Sequence, residues 1–155
     1  MKLYSPAFSD QGVIPVHYAM PGAGGRNLSI PYTWEGVPEG TQSLALALID
    51  PHPVANNWIH WLVVNIPGTS TALPEGASGQ SMPEGSLELT NSFGSIGYGG
   101  PQPPAGSGEH PYVATLYALN TASLDLPAKT RLEHFYQVIE GNVLAKAQYT
   151  GLFEQ

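Results

Sequence analysis

The apolar residues of this chain come in short runs that Gly and Pro cut off, and this limits what it can fold into more than any other feature. Leu44-Ala45-Leu46-Ala47-Leu48-Ile49 stops at Asp50-Pro51. Trp58 to Ile66 stops at Pro67-Gly68, and Tyr112 to Leu119 follows a long Gly/Pro-rich stretch. Pro lacks the N–H that a helix interior or a central ladder needs, so apolar runs of this length between such breakers read as strands. The Leu44–Ile49 run is almost continuously apolar, which suits a strand covered on both faces. Leu28 to Trp34 is a weaker fourth strand, and Leu87-Glu88-Leu89-Thr90 reads as a short edge piece.

Only the C-terminal part carries a helical period. Leu132, Phe135, Tyr136, Ile139, Val143, Leu144 and Ala147 recur at three and four, predicting a helix from Thr130 to about Tyr149. Thr130 followed by Glu133 has the capping-box spacing, Gly141 marks a kink or close contact, and Ser123 to Leu126 adds a short turn. Strands first and one helix last predict a mainly β, sandwich-like fold around a central sheet, with a C-terminal helix and few short helices. Neither repeats nor a linker divide the 155 residues, so residues 1–155 read as one domain.

Charge narrows the function classes. Charged residues are 11% of the chain, and five Lys and Arg stand against twelve acids, for a net charge of −7. That excludes a nucleic-acid binder, which needs a basic face, and a polybasic membrane-surface protein. There is no Cys, so thiol catalysis and Cys-based metal sites are excluded. No run approaches a membrane span, and Met1-Lys2-Leu3-Tyr4-Ser5-Pro6 does not begin a signal peptide; the expectation is a cytoplasmic protein without integral membrane association. Between Arg26 and Lys129 there are eight acids and no Lys or Arg, so an anion site there has no permanent cation.

Three segments place polar groups beside strands. Asp50-Pro51-His52-Pro53 leaves a carboxylate at a strand's end, where a turn-capping Asp is the plain alternative. In Trp58-Ile59-His60-Trp61, a period of two puts Trp58, His60, Leu62 and Val64 on one face and Ile59, Trp61 and Val63 on the other. From Gly94 to Gly108, nine of fifteen residues are Gly or Pro. Such a loop is rigid and shaped, and it can offer backbone N–H groups to a ligand. His110 and Tyr112 follow at i and i+2, on one side of the next strand.

In combination and order, these segments resemble the phosphatidylethanolamine-binding protein family, in particular its Raf-kinase-inhibitor-like branch from bacteria and archaea. The residues concerned are Asp50-Pro51, Trp58-x-His60-Trp61, Gly97-Tyr98-x-Gly100-Pro101-x-Pro103-Pro104 and His110-x-Tyr112, supported by Asn27-Leu28-Ser29, Val37-Pro38-x-Gly40-Thr41 and Asn91-x-Phe93-Gly94. The resemblance spans nearly the whole chain. It implies a β-sandwich with a small anion pocket at one end, lined by Asp50, His60, His110 and Tyr112 and walled by Pro103 and Pro104. It further implies a ligand of phosphate, acetate or phosphoryl head-group type, no general catalytic activity, a regulatory role towards a kinase or protease, and pairing as a homodimer. The chain departs from the family's pattern where His52 replaces a second pocket acid and where Pro111 replaces an Arg in His-Arg-Tyr, so the pocket's charge is altered.

The residues themselves leave several mechanisms open. In an anion pocket, binding rests on loop N–H groups, the Tyr112 hydroxyl and protonation of His52, His60 or His110, and strengthens as pH falls through about 6.5. Asp50, His52, His60 and His110 are also the N/O donors that zinc accepts, the alternative being a metal-free acid–imidazole network. A hydrolase built on that cluster is a third reading, but no Gly-x-Ser-x-Gly exists, and Gly76-Ala77-Ser78-Gly79-Gln80 breaks that pattern at its last position. The expectation is therefore a non-catalytic protein that binds a small anion, without cofactor or resident metal.

Overall fold

The computed structural model describes residues 1–155. Its centre is a six-stranded sheet in the order β2-β9-β8-β4-β5-β7, and a three-stranded sheet, β1-β3-β6, packs on one of its faces. The strands are β1 (Lys2–Tyr4), β2 (Gly12–Val13), β3 (Tyr32–Glu35), β4 (Ser43–Asp50), β5 (Trp58–Pro67), β6 (Ala72–Leu73), β7 (Leu87–Glu88), β8 (His110–Leu119) and β9 (Val143–Phe153). One helix, α1 (Leu132–Ile139), and two short 3₁₀ turns complete the elements, so the chain is mainly β as its punctuation predicts.

Two apolar layers hold the central sheet. Leu44, Leu46 and Leu48 face Tyr32, Trp34 and Leu73 of the smaller sheet, while Ala45 and Ala47 face Leu124, Leu126, Leu132, Phe135 and Ile139. Every residue of β4 is buried, which is why this strand reads as continuously apolar. Burying both faces of this strand contributes hydrophobic stabilisation at roughly 25 cal/mol per Å² of apolar area. The weaker strand at Leu28–Trp34 narrows to Tyr32–Glu35, and Leu87-Glu88 is the sheet's edge as expected.

The C-terminal helix is shorter than its period suggests. α1 ends at Ile139, Gly141 takes φ 85°, and Val143–Phe153 forms β9, paired antiparallel to β8 from Leu119↔Val143 to His110↔Phe153. The residues past Gly141 satisfy a second period: Ala145, Ala147, Tyr149 and Phe153 all turn toward the first apolar layer. Ladder partners along the whole of β8 outweigh the local helical pattern. The capping box also fails to form. Arg131 is the N-cap without a side-chain bond, and Thr130 Oγ1 donates to the Pro127 carbonyl instead. Ser123–Leu126 forms no turn, and Leu124 and Leu126 are buried in the layer with α1.

Two irregularities in β5 matter for the site. The β4–β5 pairing slips by one residue between Leu44 and Leu46, where Asn65 takes φ 61° and clasps Leu124 through both amide atoms. It slips again between Leu48 and Ile49, which pair with Trp61 and Ile59 and leave His60 as the extra residue. A bulge of this kind breaks the alternation of side chains. The strict period of two is therefore corrected: Ile59 packs with Leu62 and Val64 in the second layer, while His60 borders Tyr112 of the first.

Candidate functional site

Three strand ends meet at one end of the central sheet. β4 finishes at Asp50, β5 begins at Trp58, and β8 begins at His110, with Asp50 opposite Trp58 and Ile49 opposite Val113. The antiparallel register thus gathers Asp50, His60, His110 and Tyr112 although 62 positions separate the first from the last. Around them lies a cavity of about 330 Å³ lined also by Val54, Ala55, Trp58, Phe93, Gln102, Pro103 and Pro104.

Asp50 and His110 are fully enclosed, at 2% and 0% exposure. Asp50 Oδ2 lies 2.6 Å from His110 Nδ1, and Asp50 Oδ1 accepts the His52 N–H at 2.9 Å. His110 Nε2 lies 2.8 Å from Ser107 Oγ, and Ser107 Oγ donates to the Pro104 carbonyl at 2.6 Å. His52 does not line the cavity. Its ring stacks on that of His110, with centroids 3.8 Å apart and 10° between planes, and its Nδ1 accepts the Val54 N–H.

His60 is held differently. Its Nδ1 donates to the Gly99 carbonyl at 2.7 Å, which leaves Nε2 as the lone-pair nitrogen. Burial lowers its pKa from 6.5 to about 4, outweighing the Gly99 bond and the nearby Asp50 charge that pull the other way. His60 is therefore a neutral imidazole at neutral pH and does not supply the positive charge expected of it. The Tyr112 ring meets His60 edge-on at 4.9 Å, and its buried hydroxyl has no hydrogen-bond partner. Burial and the Asp50 charge push its pKa up, so the phenol keeps its proton.

The glycine-rich loop has a different job from the one its composition suggests. The N–H groups of Gly94, Gly97, Gly99 and Gly106 donate to the carbonyls of Asn91, Leu89, His60 and Gln155, and that of Gly100 donates to Asn27 Oδ1. These donors are spent on shaping the loop. Gly100 shows why a glycine is needed: a Cβ there would run into the Tyr18 carbonyl and the Ala19 backbone.

Of the seven residues marked in the sequence, six line one cavity and His52 lies behind it. Trp58, Phe93, Gln102, Val54 and Ala55 complete the wall. Phe93 sits inside a quoted motif and Trp58 shares a strand with His60, but no local pattern singles out Val54, Ala55, Gln102 or the Ser107 contact. No group of three or more His, Asp or Glu side chains is placed to hold a metal ion. His110 has both nitrogens engaged and His60 one, which leaves few free ligand positions.

Comparison with known proteins identifies the family of this fold. The family model for phosphatidylethanolamine-binding protein matches residues 4–154. A UPF0098 protein of Methanothermobacter thermautotrophicus is 41% identical over 156 residues, covering 100% of this chain and 99% of that one. The crystal structure of Escherichia coli YbcL, described as a new member of the mammalian PEBP family, superposes with a TM-score of 0.92 at 32% identity, over 99% of this chain and 98% of that chain. LppC of Mycobacterium tuberculosis, named as a lipoprotein, is 39% identical across 99% of this chain and 72% of its own length. The chain belongs to the phosphatidylethanolamine-binding protein family. No helix is long and apolar enough to cross a membrane.

Proposed function

We propose that this chain is a non-catalytic binding protein that holds a small anion or a phosphoryl head group in the cavity between Asp50, His60, His110 and Tyr112. The observation that carries the reading is Tyr112, a residue of the cavity lining whose buried hydroxyl has no protein partner. An unsatisfied buried donor costs about 1–3 kcal/mol, a cost an acceptor oxygen removes. Calorimetric titration with phosphoethanolamine and inorganic phosphate tests it. Tyr112→Phe should weaken binding about tenfold or more, in line with the loss of one such bond. Failure of the unaltered protein to bind either ligand at millimolar concentration refutes the reading. A kinase- or protease-modulating role, a cytoplasmic location and a homodimer belong to the same proposal; pull-down, fractionation and light scattering address them in turn.

One observation favours a hydrolytic second reading. Asp50, His110 and Ser107 form an acid–imidazole–hydroxyl chain with contacts of 2.6 and 2.8 Å, the order that activates a serine. Three observations weigh against it. The Ser107 proton is directed at the Pro104 carbonyl, Ser107 is not in the cavity wall, and the loop amides named above are not free to stabilise an oxyanion. Labelling with a serine-directed fluorophosphonate, lost in Ser107→Ala, would overturn the non-catalytic reading.

A further inference from the structure

A second cavity, of about 360 Å³, shares no lining residue with the one at the strand ends. Its wall is drawn from three loop segments, 27–29, 76–80 and 95–98. These segments are pinned to one another. Gly76 and Ser78 donate their N–H groups to the carbonyl and hydroxyl oxygens of Ser29, at 3.0 and 3.1 Å. Ser78 Oγ accepts the Tyr98 N–H at 2.8 Å and donates to Glu88 at 2.6 Å. Asn27, in the left-handed region at φ 53°, spends its Oδ1 on the Gly100 N–H at 2.8 Å. A Cβ on Gly97 would fall 2.5 Å from Ser78 Oγ, so only glycine allows the loop to close there. Walls tied in this way are preformed, and a ligand that enters orders little.

The chemistry of this wall is uncharged. None of its ten residues carries a charge at neutral pH, since the Tyr98 phenol is held protonated by burial. The carboxylates beside it are already engaged. Glu88 accepts from Trp61 Nε1, Ser78 Oγ and the Gly79 N–H, and Glu75 accepts from the Tyr18 hydroxyl. An anion therefore meets no cation, and a cation meets no free carboxylate in the wall. Three neutral groups stay open: Asn27 Nδ2, the Gln80 amide and the Ser95 hydroxyl. None of them bonds within the protein, and none is shut off from solvent. Beside them Ile96 is 66% exposed although the Thr90↔Ile96 bridge fixes its backbone, and Leu28 is half-buried.

We infer that this second cavity binds one unit of a neutral sugar. Sugar hydroxyls donate and accept in turn. That matches a donor at Asn27 set beside the two-way groups of Gln80 and Ser95. The C–H face of the ring lies against Leu28 and Ile96, which takes apolar area out of water. An extended peptide has no such fit, because none of the three lining segments is a strand whose ladder it would continue. The assignment is independent of what the strand-end cavity holds.

Protein-observed NMR titration of the full chain tests it, with glucose, galactose, mannose and N-acetylglucosamine each taken to about 100 mM, well above the millimolar range of weak ligands. At least one should give saturable shifts at the backbone amides of Ser95 and Ile96 and at the side-chain amides of Asn27 and Gln80. The amino-sugar cation and the uronic-acid anion of the sugar that binds should bind at least about tenfold more weakly, since neither charge has a partner in the wall. Gln80→Ala removes an exposed side chain that bonds nothing else in the protein, and should weaken binding about two- to tenfold, the worth of one neutral hydrogen bond. Shifts centred on Trp58, Phe93 or Gln102 would place the sugar in the strand-end cavity and overturn the inference. So would the lack of a saturable shift with all four sugars, equal affinity for the charged forms, or an unchanged curve in Gln80→Ala.

Discussion

Protonating His60 should cost the fold a measurable part of its stability. In the folded chain its pKa is lowered from 6.5 to about 4, chiefly by burial. The unfolded chain therefore binds more protons at this group between those two values, and stability rises with pH across that window. The contribution is fully present above about 6.5 and is lost as pH falls toward 4. At 1.36 kcal/mol per unit, a shift of this size corresponds to about 3 kcal/mol. Urea unfolding at several pH values gives the wild-type slope, to which carboxylates elsewhere also contribute. His60→Asn removes the titrating ring while keeping an amide donor for the Gly99 carbonyl. The difference between the two curves isolates His60. Wild type should lose about 3 kcal/mol more than the variant between pH 6.5 and 4, with the m-value unchanged at neutral pH. Parallel curves would refute the claim that His60 is buried as a neutral imidazole.

Asp50→Ala strips acceptors from the His52 N–H and from His110 at once, and breaking a buried pair from one side costs about 3–5 kcal/mol; a loss within about 0.5 kcal/mol in urea unfolding, the range of a surface change, would show that the carboxylate is not buried as described. Phe135→Ala empties the centre of the layer between α1 and the sheet and should cost about 3–5 kcal/mol by the same assay, against under 1 kcal/mol if α1 were loosely docked. Added salt should strengthen anion binding or leave it unchanged, because the ligand approaches a chain of net charge −7 with no cation in the cavity wall. Calorimetry at low and high ionic strength checks this, and a steep loss of affinity with salt would place a Lys or Arg at the site.

What the sequence made legible depends on whether local pattern and tertiary structure agree. β4 is apolar on both faces because α1 and the smaller sheet cover both, so its environment is written into its residues. β9 carries two periods at once, and the ladder with β8 that selects between them is long-range. The bulge at His60 leaves no composition signal, since a histidine between Ile59 and Trp61 fits a regular strand equally well. The site followed the same division. Asp50, His60, His110 and Tyr112 stand out as polar groups at strand ends, while Ser107 becomes meaningful only once the loop folds back over His110.

The loop glycines show how composition misleads about chemistry. A segment rich in glycine exposes amides in an unfolded chain, and phosphate sites built from such loops point those amides at the ligand. Here the amides of Gly97, Gly99 and Gly100 run to Leu89, His60 and Asn27, tying the loop to the strand end that carries His60. The Gly99 carbonyl then accepts a hydrogen bond from His60 Nδ1–H and fixes which nitrogen keeps a lone pair. Glycine is required because backbone approaches backbone closely at Gly100, a constraint on shape that carries no charge with it. The same loop brings Ser107 to His110, the ring that also contacts Asp50. The loop therefore shapes the cavity through the imidazoles it orients, by its backbone path as much as by its side chains.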